Sequence, residues 1–309
     1  MSRVKADLLL LLAAMIWGFA FIAQKTAMES VGPYTFVGSR FLISAAFVLP
    51  FAFREMKRAQ AVSFSAHKWL LLGLCAAFSV GAVLQQFGVH GTSVTNAGFL
   101  TSLYVLFVPI ASLLVFRKKP NAIVWLAAPL CVFGVFLLGD ASLTGMKAGD
   151  LLVIGCAIIF SFHIILTGIA VKLIPNPLTL ATLQYSVCGI GCMALALMFE
   201  DVSAAALMEI LPALLYAGIL SGSIAFTLQI IAQQHTPPSD AAIICGSESL
   251  FAAIGGVLLM QDHLSPIAWA GCGVIFIAIL LVELYPLLRK GSDLDGNAGI
   301  VLGSADRER

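Results

Sequence analysis

Apolar runs of about twenty residues follow one another along the chain, separated by short breaks rich in polar residues, Pro or Gly. They cover 8–27, 33–53, 69–89, 94–116, 121–139, 150–173, 178–199, 210–232, 240–260 and 266–288. At about 1.5 Å per helical residue, each is long enough to cross a hydrocarbon layer about 30 Å thick with some tilt. The pattern predicts an all-α membrane protein of ten transmembrane helices. The first run follows Arg3 and Lys5 as a signal peptide would, but its length and the nine runs behind it predict a retained helix. The stretch from Gly291 to Arg309 is rich in Gly, Ser and charge, which predicts a disordered cytoplasmic tail.

Composition narrows the class. The chain is 60% apolar and only 11% charged, with a mean hydropathy of +1.01, whereas soluble domains carry roughly a quarter charged residues. That surplus has no place in a water-soluble core, so a soluble enzyme or a large extramembrane domain is excluded. With Lys+Arg 17 against Asp+Glu 16, there is no basic face for nucleic acid. All seven cysteines sit inside apolar runs without a CxxC pair, as packing residues rather than disulfides or metal ligands. No P-loop, HExxH, GxSxG or paired membrane Asp is present, so neither an enzyme nor a cofactor is expected.

Positive charge sets the orientation. Arg3, Lys5, Arg54, Lys57, Arg58, Lys68, Arg117, Lys118, Lys119, Lys172, Arg289, Lys290, Arg307 and Arg309 fall on one side of a ten-span chain. Only Lys25 and Lys147 fall on the other, and Arg40 lies within a helix. Both termini are predicted to be cytoplasmic, in a plasma (inner) membrane.

An internal repeat carries more information. A shift of 144 superimposes Pro33-Tyr-Thr-Phe on Pro177-Leu-Thr-Leu, Leu84-Gln85 on Leu228-Gln229, Thr95-Asn-Ala-Gly on Ser239-Asp-Ala-Ala, and Trp125 on Trp269. Nearer the start of each half the shift is 143, pairing Asp7 with Asp150 and Trp17 with Phe160. The halves read as 1–144, with helices one to five, and 145–290, with helices six to ten; the tail is 291–309. Five spans are an odd number, so the second copy enters from the opposite side. Two inverted five-helix repeats are an architecture of secondary transporters, with the substrate site near mid-membrane between them.

Several segments resemble the drug/metabolite transporter superfamily, specifically ten-helix exporters built of two EamA-type repeats. They are Ala14-Met-Ile-Trp-Gly-Phe-Ala-Phe, Arg40-Phe, Ser247-Glu-Ser-Leu-Phe-Ala and Asp262-His-Leu-Ser-Pro-Ile-Ala-Trp-Ala-Gly. The resemblance runs from Asp7 to about Pro286 and departs from the family's pattern at Phe19-Ala20, Ser249 and Gln261-Asp262. It implies a proton-linked or facilitative exporter of small cytoplasmic metabolites.

Polar groups stranded in apolar runs are the candidate site. Glu248 lies deep in the ninth span, where a carboxylate costs at least ~2.5 kcal/mol. Helical spacing gives it a face with Ala241, Cys245, Ala252 and Gly255. Either it holds a proton or a substrate amine, or it is a structural acid bonded to backbone or to Arg40. Arg40 either snorkels to the outer interface or pairs with an acidic helix end, or else holds a substrate carboxylate in two parallel bonds. Trp17, Phe21 and Gln24 share one face of helix one, and Phe160, His163 and Thr167 share one of helix six. Both stripes suit an aromatic cavity wall for amphipathic cargo, or plain packing. His163 has the further alternative of a neutral side chain bonded to the preceding turn or to a neighbouring helix. Gln85, Gln86 and Gln229 are interhelical glue or gate and cavity groups. Tyr104 falls at the repeat position of Glu248, and Asn96 and Asp240 read as first-turn or capping residues.

These readings favour a secondary active or facilitative transporter that exports small amphipathic metabolites such as amino acids by alternating access. A monomer in the bilayer is favoured, and the expected partner is a small-molecule substrate. Uptake or exchange of sugar or nucleotide phosphates is the alternative cargo, and a channel or an intramembrane enzyme the alternative class.

Overall fold

The computed structural model describes residues 1–58, 64–92, 94–138, 147–260, 264–282 and 284–285. The capping side chain of Asn96, the Gln261-Asp262-His263 stretch and the tail from Gly291 lie outside the described residues.

Every regular element among the described residues is helical. The first half holds α1 (Arg3–Ala27), α2 (Pro33–Arg58), α3 (Lys68–Gly91), α4 (Val94–Thr101), α5 (Tyr104–Leu114) and α6 (Val124–Leu138). The second holds α7 (Ala148–Leu173), α8 (Pro177–Phe199), α9 (Ala204–Glu209), α10 (Leu211–Leu215), α11 (Phe226–Ala232), α12 (Pro238–Cys245) and α13 (Glu248–Met260), then α14 (Pro266–Val282). A π-helical segment, Tyr216–Ala225, joins α10 to α11. Eight helical stretches among the described residues are long and apolar enough to cross a membrane, and α6 and α14 are shorter apolar helices.

Two of the expected continuous spans are interrupted. The fourth breaks between α4 and α5, where the Ser102 hydroxyl returns to the Gly98 carbonyl. The ninth breaks between α12 and α13, where Ser247 Oγ donates to the Ile244 carbonyl and Ser249 Oγ to the Gly246 carbonyl. Serine hydroxyls compete with the helix ladder for its carbonyls, and two of them around Gly246 end one helix and start the next. The breaks meet: Ser102 Oγ also donates to the Gly246 carbonyl at 3.4 Å, and those residues are separated by the repeat shift of 144.

Helices α2 and α8 are packed along their length and close each other's ends. The Glu200 carboxylate accepts from Tyr34 N, Thr35 N and Thr35 Oγ1 at 2.8–2.9 Å. Glu55 accepts from Leu178 N, Thr179 N and Thr179 Oγ1 at 2.8–3.2 Å. A helix start leaves its first amides without internal partners, and here each start is satisfied by a carboxylate at the other helix's end, so the two run antiparallel.

Similar pairs close the bundle at both ends. At one, Thr236 Oγ1 donates to Asp7 at 2.5 Å, and Arg3 bridges Asp7 and Asp240. At the other, Thr92 donates to Asp150, and Lys25 Nζ donates to the carbonyls of Val89, His90 and Thr92 at 2.8–3.1 Å. Outward-facing side chains are apolar over wide areas, among them Leu72, Leu114, Leu126, Leu197 and Leu258, as lipid contact requires. Trp69, Trp125 and Trp269 are exposed near the starts of α3, α6 and α14, where indole rings favour a membrane–water boundary.

Candidate functional site

Close helix crossings place Glu248 and Arg40 in the site. The first is at Gly18, where an added Cβ would lie 2.6 Å from the Glu248 carbonyl and 2.6 Å from Phe251 Cβ. Only a glycine lets α1 run this near the start of α13, and the result is Glu248 beside Trp17. The second is at Gly222 of the π-helical segment, where an added Cβ would lie 2.1 Å from Ser44 Oγ. Ser44 Oγ donates to the Gly218 carbonyl and Ser223 Oγ to the Ser44 carbonyl, which ties the segment to α2. Ser221 is thereby held where its hydroxyl accepts from Arg40 Nη2 at 3.0 Å and its carbonyl accepts from Trp17 Nε1 at 3.2 Å.

These groups border one cavity between the halves, with about 470 Å³ of space between its lining atoms, counting the part continuous with solvent. The first half supplies Trp17, Phe21, Gln24, Arg40, Gln85, Thr101 and Tyr104; the second supplies Phe160, His163, Ile164, Phe226, Gln229, Cys245 and Glu248. Of the residues singled out from the sequence, Trp17, Phe21, Gln24, Arg40, Gln85, Tyr104, Phe160, His163, Gln229 and Glu248 border this space, whereas Gln86 and Thr167 are not part of its lining. Ten of the lining residues also form five repeat pairs: Trp17 with Phe160, Phe21 with Ile164, Gln85 with Gln229, Thr101 with Cys245 and Tyr104 with Glu248.

Its wall is aromatic on one side. Trp17 meets Phe226 at 4.7 Å between ring centroids, Phe226 meets Phe78 at 5.0 Å, and Phe78 meets Phe41 at 4.8 Å. His163 joins this group 5.2 Å from Phe78. Its Nε2 donates to Gln184 Oε1 of α8 at 2.6 Å, which is the neighbouring helix rather than the preceding turn. Gln86 is interhelical glue, donating to the Gln24 carbonyl. The Oε1 atoms of Gln86 and Gln229 are both buried without a hydrogen-bond partner.

Arg40 departs most from expectation. It does not snorkel outward and has no carboxylate partner among the described residues: the side chain is 4% exposed, and its guanidinium donates to the Ser221 hydroxyl. The guanidinium carbon lies 4.8 Å from the centre of the Phe41 ring, and Nε is unsatisfied. The physical reason is lateral: α8 and the π-helical segment pack over α2 where depth along the span alone puts Arg40 near the surface. Glu248, also 4% exposed, does not pair with it. Tyr104 is within electrostatic reach of Glu248, yet Tyr104 Oη, Glu248 Oε1, Thr101 Oγ1 and Gln24 Oε1 are all buried without a hydrogen-bond partner. Asp240 is bonded to Arg3 and Asn121 at the bundle end, away from the cavity lining.

Among the described residues no cluster of three or more His, Cys, Asp or Glu side chains could hold a metal ion. The cavity sets unsatisfied polar groups beside an aromatic wall.

The comparisons with known proteins agree in kind. The model of the EamA-like transporter family matches residues 4–139 and again 147–284. The chain belongs to the EamA-like transporter family. An uncharacterized transporter of Archaeoglobus fulgidus is 31% identical over 287 residues, covering 92% of this chain and 87% of the relative. The uncharacterized transporter YwfM of Bacillus subtilis is 25% identical over 296 residues, covering 93% and 96%. A solved crystal structure shares the fold with a TM-score of 0.72 at 15% identity, over 92% of this chain and 98% of that one. This EamA-like chain is thus a multi-pass membrane transporter. Of its lining residues, Thr101, Ile164 and Phe226 went unread in the sequence. Thr101 and Ile164 were accessible through the repeat register, as partners of Cys245 and Phe21. Phe226 aligns with Ala82 and carried no such signal.

Proposed function

We propose that this EamA-like transporter is a secondary carrier, active or facilitative, that exports small amphipathic metabolites such as amino acids by alternating access around the central cavity. All ten apolar helices cross the inner membrane as two inverted five-helix repeats, with both termini cytoplasmic. The observation that carries the reading is the lining of one cavity by repeat pairs drawn from both halves. The antiparallel α2–α8 pair, with its reciprocal carboxylate caps, supports the inversion.

In this mechanism the cargo lies against Trp17, Phe21 and Phe160, while Gln85, Gln229 and His163 orient its polar groups. Glu248 binds and releases the proton exchanged for cargo, with Tyr104 beside it. The pairs Asp7–Thr236 and Asp150–Thr92 sit at opposite ends of the bundle, and parting one while the other holds opens the cavity to one side at a time. A sugar or nucleotide phosphate is a poorer cargo, since Arg40 alone among the cavity's basic groups meets several phosphate charges.

The test is flux in reconstituted vesicles. Wild-type flux is expected to saturate, to support counterflow and to depend on pH; Glu248→Gln is expected to abolish the pH dependence. Unchanged pH dependence in Glu248→Gln removes the coupling role. Unsaturable conductance in planar bilayers replaces the carrier with a channel.

A further inference from the structure

We propose that Arg40 and Ser221 form an anion anchor, so that the cargo carries one carboxylate held at the α2 side of the cavity, away from Glu248. The proposal rests on the transport reading and narrows its cargo class. Its basis is a buried charge left unanswered. A guanidinium stays protonated in proteins and offers five N–H donors in a planar fork. Arg40 is held in the cavity wall with a neutral hydroxyl and an aromatic face as its neighbours, and its Nε donates to nothing. Burying a cation without a countercharge is among the most destabilising arrangements a protein can hold. A ligand bringing the countercharge would relieve it.

Two features favour a carboxylate over other anions. The guanidinium fork matches two carboxylate oxygens with parallel bonds, and the unsatisfied Nε is one arm of that fork. A single cationic side chain balances a single negative charge, whereas a phosphate dianion would leave surplus charge in a space that already holds Glu248. The aromatic wall formed by Trp17 and Phe226 then receives the apolar body of the same molecule. Cationic amines without an acid group lack the anchor and are not cargo.

Equilibrium binding to the purified full chain in nanodiscs, measured by calorimetry without any gradient, tests this. The probes are benzoate and indole-3-acetate, set against benzyl alcohol, benzylamine and phenyl phosphate. Saturable binding of the two carboxylates, with the other three at least about tenfold weaker, is the expected result. Arg40→Gln is expected to lose about tenfold or more of the carboxylate affinity, and Arg40→Lys, which keeps the charge but not the fork, to fall between. Ser221→Ala keeps the guanidinium charge but removes the hydroxyl beside it, and is expected to weaken the carboxylates alone; it serves where the Arg40 variants do not fold. No binding of either carboxylate by the wild type, equal binding of the alcohol or amine, or unchanged affinity in Arg40→Gln or Ser221→Ala overturns the anchor. Saturable flux that ignores the acid group also sinks the anchor while transport stands. Arg40-dependent binding without any flux sinks the transport reading while the anchor stands.

Discussion

Gly18 carries a small hydrogen where the cavity's geometry has no room for a methyl group. A Cβ there meets the Glu248 carbonyl and Phe251 Cβ at 2.6 Å, and overpacking of this sort costs about 1–3 kcal/mol. The part free to yield is the start of α13, which carries Glu248. Gly18→Ala is therefore expected to lower the thermal unfolding midpoint in detergent and to slow saturable flux. Gly191→Ala, whose new Cβ would meet nothing within 4 Å, is the control and should change neither. Equal behaviour of the two variants would separate the crossing from function. At this scale the sequence was readable where a residue's partner lay in the same register: Tyr104 and Glu248 align before any fold is known. Arg40 was not readable, because its burial is decided by α8 and the π-helical segment, and the spacing within α2 reports neither.

The elements at the two bundle ends repeat one chemistry, a Thr hydroxyl on an Asp at the start of α1 or α7. Each pair is buried and joins helices that must separate if the cavity is to open at that end. Cys245 lies in the cavity wall and reports on entry from either side when retained as the sole cysteine. Asp7→Asn is expected to speed its reaction with a membrane-impermeant thiol reagent from the Asp7 end alone. Asp150→Asn should do so from the opposite end alone; acceleration from the same side in both, or in neither, would show that these pairs do not gate. The aspartates were legible as a repeat pair, but their hydroxyl partners were not. The ninth span's break also had a local signal, in Gly246 followed by Ser247 and Ser249. An apolar run of twenty residues outweighs it, because hydropathy records burial in lipid and not the continuity of the ladder.

For the whole molecule, hydropathy alone gave the helical membrane class, and the odd number of spans per repeat predicts an inverted second copy. What neither gave is how far each half depends on the other. The α2 amides at Tyr34 and Thr35 find their acceptor in Glu200, and those of α8 at Leu178 and Thr179 find theirs in Glu55. A fragment of residues 1–145 made alone is expected to accumulate poorly in membranes, and co-expression with residues 146–309 to restore its level; quantitative immunoblotting of both reads this out. Full accumulation of the lone fragment would mean that water or lipid headgroups serve α2 as well as Glu200 does. During biosynthesis the dependence becomes an order of events. The start of α2 leaves the ribosome more than 160 residues ahead of Glu200, so the helix spends most of translation with its end open, and membrane quality control meets an unfinished protein until the second half has been inserted beside it.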